Sequence, residues 1–261
     1  RSFLNLYPTH VIITNIDADH LDYYKDLDDI KTAFHSFANK LSEKGILVTH
    51  PNLDITTGAK HVTTEDIDNI SISLSVLGAH NRDNAALVIS MLTELGFPEQ
   101  KVREGLRSFP GTWRRMEYKG MTKLGVAVYD DYGHHPAEIL ATYKALREKY
   151  PEGEWYVTML FQPHLYSRTK ALLPDFANVL SDVDEVYILP IYKARLEDDT
   201  VISQDIVVDA INASGGNAKK LESLSEITSL VNNYKREKAI IVNMGAGDAF
   251  REIDNVDFST I

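Results

Sequence analysis

The sequence predicts an α/β protein whose strands lie mostly parallel. Two observations carry that prediction. From Val126 onward, short runs of aliphatic residues alternate with stretches whose apolar positions recur at helical spacing. Strands separated by helices need crossover connections, and crossovers join parallel neighbours. Before residue 112 the same alternation begins but reads as the incomplete remainder of another α/β domain. Two domains are therefore expected, residues 1–111 and 112–261.

Taken in order, His10-Val11-Ile12-Ile13-Thr14 is a strand, rich in β-branched residues. Ile30, Ala33, Phe34, Phe37, Ala38 and Leu41 form one helical stripe, which Gly45 ends before the strand Ile46-Leu47-Val48. Residues 60–76 alternate loosely and read as extended. A helix pair follows, carried by Leu92 and Leu95 and then by Val102 and Leu106, with Gly96 and Pro98 as punctuation. Phe109-Pro110-Gly111-Thr112 breaks the pattern and marks the boundary. Beyond it, strands are expected at 126–129, 155–161, 186–191 and 239–242. The intervening helices are marked by Ile139 to Leu146, by Leu172 to Leu180, by Ile206 to Ile211, and by Ile227 to Tyr234 with Ser225 as cap.

Composition narrows the function. The 27 Lys+Arg stand against 38 Asp+Glu, a formal charge of −11, which argues against a duplex-binding surface. No apolar run approaches the ~18 residues of a membrane helix. With no cysteine, disulfides, thiol nucleophiles and cysteine-ligated zinc drop out, and a reducing cytoplasmic setting is compatible. Ser2-Phe3-Leu4 leads almost at once into a strand, so the start is expected to lie inside a domain.

Polar clusters follow the strands of the second half: Asp130-Asp131-Tyr132-Gly133-His134-His135-Pro136, Gln162-Pro163-His164-Leu165-Tyr166-Ser167-Arg168, Tyr192-Lys193-Ala194-Arg195 and Gly245-Ala246-Gly247-Asp248. Ligands of open parallel sheets bind beyond the carboxyl ends of the strands, so these clusters can meet on one ligand. Singly, each also reads as a turn or helix cap, and Pro136 after His135 is good capping grammar. A zinc site at His134, His135 and His164 is disfavoured, since adjacent loop histidines point apart and no His-x-x-x-His spacing accompanies them. Gly245-Ala246-Gly247 lacks the third glycine of a dinucleotide fingerprint. In the first half, Thr14-Asn15-Ile16-Asp17-Ala18-Asp19-His20-Leu21-Asp22 suits a hydrated magnesium ion near phosphates, or a polar loop. Gly78-Ala79-His80-Asn81-Arg82-Asp83-Asn84-Ala85 opens a helix, where Asn can meet a purine edge or simply cap.

Read together, these clusters resemble the Mur ligases. The matching segments are Thr14-Asn15-Ile16 with Asp19-His20 and Asp22, Gly78-x-His80-Asn81-x-x-Asn84-Ala85, and Gly111 with Arg114-Arg115. The clusters beginning at Asp130, Gln162 and Gly245 complete the set. The resemblance implies the last part of a central ATPase domain followed by a Rossmann-like C-terminal domain. It implies an ATP- and Mg2+-dependent amide ligase of cell-wall precursor synthesis, joining an amino acid, with L-alanine favoured, to UDP-N-acetylmuramate through an acyl phosphate. His20 would stand near magnesium and phosphates. His80, Asn81 and Asn84 would hold the adenine side of ATP, and Arg115 and Asp131 would reach the nucleotide. Tyr132, His134, His164 and Arg168 would face the amino acid and acyl group, with His20, His134 and Arg168 catalytic. No Gly-x-x-x-x-Gly-Lys-Ser/Thr loop and no UDP-binding domain are present in the sequence, so these residues by themselves are expected not to turn over. Leu165 stands where the family usually has Arg. A relative attaching a peptide to the same sugar nucleotide, or a non-catalytic nucleotide-binding module, would use the same residues.

Overall fold

The computed structural model describes residues 1–18, 23–64, 73–196 and 202–259. The chain forms two compact units, residues 1–75 with 79–110 and residues 76–78 with 111–261.

In the first unit a short 3-10 turn, Ser2–Asn5, precedes β1 (His10–Ile13), α1 (Leu27–Ala38), β2 (Ile46–Thr49), β3 (Lys60–Thr63), α2 (Ala79–Glu94) and α3 (Glu99–Ser108). The strands form a parallel sheet in the order β1-β2-β3. Central β2 is buried along its whole length, as a parallel strand covered on both faces must be. Its side chains alternate: Leu47 packs with Val11, Ile13 and Ala38 of α1, while Ile46 and Val48 pack with Leu87 and Met91 of α2. Asp26 caps α1, accepting the Asp29 N–H at 2.9 Å. Of the expected extended stretch 60–76, only Lys60–Thr63 is a described strand, and Ile70 and Ile72 lie outside the described residues.

The second unit contains β4 (Glu117–Met121), β5 (Ala127–Asp131), α4 (Pro136–Lys149), β6 (Tyr156–Phe161), α5 (Tyr166–Ala171), α6 (Leu173–Leu180), β7 (Glu185–Ile188), α7 (Gln204–Ala213), β8 (Ala218–Lys220), α8 (Glu226–Asn232), β9 (Ala239–Met244) and α9 (Phe250–Ile253). They build a six-stranded sheet in the order β4-β5-β9-β6-β7-β8, parallel except for β4. One face, with Tyr129, Met159, Phe161 and Val242, packs on α4, α6 and α7. The other, with Val128, Leu160 and Ile241, packs on α8 and α9. The α/β class and the parallel sheet are as the sequence predicts.

Three expectations need correction. Edge strands β4 and β8 were not anticipated: β4 is only half-buried, and three-residue β8 carries two lysines. The helix expected from Leu172 to Leu180 is α6, but an unexpected short helix, α5, precedes it, the two parted at Leu172 with φ −103° and Pro174 in the first turn of α6. Ser225 precedes α8 but makes no side-chain cap bond; Glu226 instead accepts the Ser223 N–H at 2.8 Å.

Candidate functional site

In the second unit, the loops after β5, β6 and β9 and the segment after β7 meet at the carboxyl edge of the sheet. The chain enters this edge through Arg114 and Met116, both with positive φ, 52° and 50°. Arg114 is buried. Its Nε donates to Asp130 Oδ2 at 2.8 Å, and Nη1 and Nη2 donate to the carbonyl oxygens of Gly247 and Gly245. Asn243, opposite Asp130 in the β5–β9 register, donates to its other oxygen at 2.6 Å. The Arg114 carbonyl accepts the Tyr132 N–H at 2.7 Å.

The next residue of each pair behaves differently. Arg115 is exposed, its guanidinium lies 5.4 Å from the Tyr132 ring centre, and Glu138 stands 3.6 Å from it. Asp131 turns inward, 5% exposed; it accepts the N–H groups of Met116 and Gly133 at 2.8 and 2.7 Å and the Thr142 hydroxyl at 3.2 Å. Burial, outweighing those donors, holds its carboxyl above the usual carboxylate range. The expected nucleotide contact at Asp131 is, in this geometry, a carboxylate that braces the loop from inside.

A row of rings crosses the strand ends. Tyr132 and His134 meet edge-on at 5.6 Å, His134 and His164 lie 5.4 Å apart, and His164 stacks on Tyr192 at 5.7 Å. The adjacent histidines do point apart. His135 caps α4, accepting the Ala137 N–H, with Pro136 at the helix start, so for this residue the capping expectation is the one realised. Glu138 completes the turn by accepting the N–H groups of His134 and His135 at 2.8 and 3.0 Å. Its carboxylate also lies 3.6 Å from His134 Nδ1. His134 and His164 are aimed by opposite means: a capped turn holds one, and strained backbone holds the other. Leu165, with φ 68° and ψ 131°, is buried, and its N–H bonds to the Tyr192 carbonyl at 2.9 Å. The Leu165 side chain is thus packed away from solvent. Arg168 lies in the first turn of α5, half-buried.

Three residues left without a role by sequence reasoning hold this edge together: Arg114 and Gln162, quoted only as parts of motifs, and Glu138. Buried Gln162 accepts the Ala249 N–H at 3.0 Å and donates to Asp248 at 3.1 Å and to the Pro190 carbonyl at 3.3 Å, tying three strand ends. A Cβ on Gly247 would lie 2.2 Å from its Oε1, which is why glycine stands there. The adjacent arginines were visible in the sequence, but the turn that sends Arg114 inward and Arg115 outward, with Arg114 at φ 52°, was not.

In the first unit, His80, Asn81 and Asn84 occupy the first turns of α2. His80 and Asn84 share a face at i, i+4; Asn84 is exposed and the other two are half-buried. His20, expected at magnesium and phosphate, lies outside the described residues, as do Asp19 and Asp22. Among the described residues, no three His, Asp or Glu side chains gather as a metal site, and no helix is long and apolar enough to cross a membrane.

Comparison with known proteins bears on the family and the fold. The Mur ligase middle domain matches residues 2–65, and the Mur ligase glutamate ligase domain matches residues 114–247. The UDP-N-acetylmuramate–L-alanine ligase of Clostridium acetobutylicum is 37% identical over 96% of this chain, and that of Agathobacter rectalis 36% over 95%. The chain covers 61% and 60% of their lengths, about three-fifths of the relatives it matches. Among solved structures, the UDP-N-acetylmuramate–alanine ligase of Thermotoga maritima superposes with a TM-score of 0.72 at 23% identity, covering 95% of this chain and 59% of that one; this supports the fold alone. From the two domain matches and the identity spread along the chain, it follows that this protein belongs to the Mur ligase family.

Proposed function

We propose that the chain forms the part of an ATP-dependent ligase that receives the amino acid and closes on the nucleotide, in the joining of L-alanine to UDP-N-acetylmuramate. The observation that carries the reading is the convergence of Arg115, Tyr132, His134 and His164 at one sheet edge, in a chain whose relatives bear that activity in their names. The lactyl carboxylate of the sugar nucleotide takes the γ-phosphoryl group of ATP, releasing ADP and forming an acyl phosphate. The amino group of alanine then adds to that carbonyl, and the tetrahedral intermediate expels phosphate as the amide forms. Such chemistry depends on positioning and on cations opposed to developing charge.

The donor set fits those demands. Exposed Arg115 offers a guanidinium to a phosphate, while Arg168 can pair bidentately with the carboxylate of the amino acid. His134, beside Glu138 and the Tyr132 ring, would take a proton from the ammonium group of alanine so that the neutral amine attacks. His80, Asn81 and Asn84, on the opening turns of α2, offer the donor and acceptor edges an adenine needs. Magnesium enters the reading through His20, and the reaction is placed in the cytoplasm.

The test is phosphate release by the complete protein with UDP-N-acetylmuramate, ATP and a panel of amino acids, with a tripeptide as the competing acceptor. The expected result is turnover with L-alanine, and Arg168→Ala should lower kcat/KM by about 2–3 kcal/mol of transition-state stabilisation. Absence of ADP with L-alanine refutes the reading, and turnover only with the tripeptide transfers it to a peptide-adding relative. Unchanged kinetics in Arg168→Ala remove that residue from the site.

A further inference from the structure

Three unfavourable features crowd one place in the second unit. The Arg114–Asp130 pair is interior, its side chains 3% and 2% exposed, and withdrawing two charges from water is offset only when the remaining hydrogen-bonding groups are met. Arg114 and Met116 adopt backbone angles that residues with a Cβ disfavour. Asn243 directs its amide N–H at Asp130, while its buried Oδ1 has no hydrogen-bond partner among the described residues. Unfavourable features of this kind persist where surrounding structure must enforce one geometry, and they collect beside functional sites.

The geometry enforced here is that of two loops. On the β5 side, the Arg114 carbonyl holds the Tyr132 N–H, and the guanidinium carbon lies 5.2 Å from the Tyr132 ring centre. On the β9 side, the same guanidinium holds the carbonyls of Gly245 and Gly247 and faces the Phe250 ring at 4.5 Å. The Gly245 N–H closes the circuit on the Asp131 carbonyl at 3.1 Å. The geometry points to Arg114 as a positioning residue of the ligase site, making Tyr132 and the Gly245–Gly247 turn one rigid piece that meets the amino acid already in place. The identity of that ligand rests on the function proposed above; the mechanical coupling of the two loops does not.

Lysine tests it, because it keeps the charge but cannot donate in a fork to Asp130 and two carbonyls together. In the 261-residue chain, R114K is expected to lower amide-exchange protection at Tyr132 and Gly245 at least tenfold while Val157 and Ile241 keep theirs. A uniform loss across the sheet would reduce Arg114 to an ordinary core ion pair, and no loss anywhere would remove the coupling; either overturns the proposal. Should R114K fail to fold, the unaltered chain decides. Its Arg114 Nη protons are expected to exchange slowly and stay resolved while those of Arg115 average, and averaging at Arg114 overturns the proposal. In the complete protein R114K should raise KM for the amino acid about tenfold with kcat nearly kept, and an unchanged KM overturns the substrate-positioning role. If the unaltered complete protein makes no ADP, the ligase reading fails, and the exchange data still judge the coupling.

Discussion

The two ends of the second unit's sheet are both rich in buried polar groups, yet they are organised differently. At the amino end, Asp184 accepts Arg147 Nη2 at 2.6 Å and the Val157 N–H at 2.7 Å. Glu185 accepts Lys219 at 2.6 Å and the Tyr234 hydroxyl at 2.9 Å, with Thr158 completing the chain to Tyr234. The one non-glycine residue with positive φ at this end, among the described residues, is Lys238, at φ 49°, in the turn before β9, and the Lys238 carbonyl accepts the Tyr156 N–H at 2.9 Å. At the carboxyl end, Arg114, Met116 and Leu165 all carry positive φ, while the rings of Tyr132, His134, His164 and Tyr192 line the strand ends. One end is a closed network that fastens strands. The other turns the side chains of adjacent residues opposite ways, one inward as a brace and one outward. Arg114 and Arg115 are such a pair, as are Asp131 and Tyr132.

The sharpest way to break the comparison is Asp130→Ala. It leaves the Arg114 charge buried without its partner and should destabilise the second unit by about 3–5 kcal/mol, read by urea unfolding. A loss near zero would mean the guanidinium reaches water. A smaller effect tests strain at Leu165. Glycine ordinarily weakens an ordered segment relative to alanine, but at φ 68° the order should reverse, with Leu165→Gly more stable than Leu165→Ala by about 1 kcal/mol. The smallest effect concerns acid. Burial pushes the Glu185 carboxyl up, but bonds from Lys219 and Tyr234 outweigh it and hold it below its ordinary 4.5. Its stabilising contribution is complete above that value and fades as pH falls through the folded-state value, so Glu185→Gln should flatten the acid arm of a stability–pH curve. Asp131, held high by burial, has the opposite sign: its contribution is present below the ordinary 3.8 and is lost as pH rises through its folded-state value.

Much of this was legible in sequence for a simple reason. Buried parallel strands and amphipathic helices declare themselves through runs and periodicity, and ligand-facing loops fall where strands end. Edge strands escape that logic. Glu117-Tyr118-Lys119-Gly120-Met121 has no apolar run because only one side is covered, and its outer edge is closed by the tail, where the Ser259 N–H bonds to the Met121 carbonyl at 2.7 Å and Phe258 packs on Gly120. The short helix α5 escapes that logic too: with Thr169 its one buried residue, it carries no apolar stripe. Site residues were visible as types but not as directions. Which of Arg114 and Arg115, or of Asp131 and Tyr132, faces outward depends on backbone angles that residue names do not carry.

The position of β9 sets the order in which this sheet can be completed. As the last strand in sequence among the described residues, it lies between β5 and β6, which have no ladder with each other. Before residue 239 the native ladders join β4 to β5 and β6 to β7 and β8, and only β9 supplies the ladders that unite the two sets. The native sheet, and the carboxyl edge where its strand-end loops meet, is therefore complete only once residues 239–244 are in place.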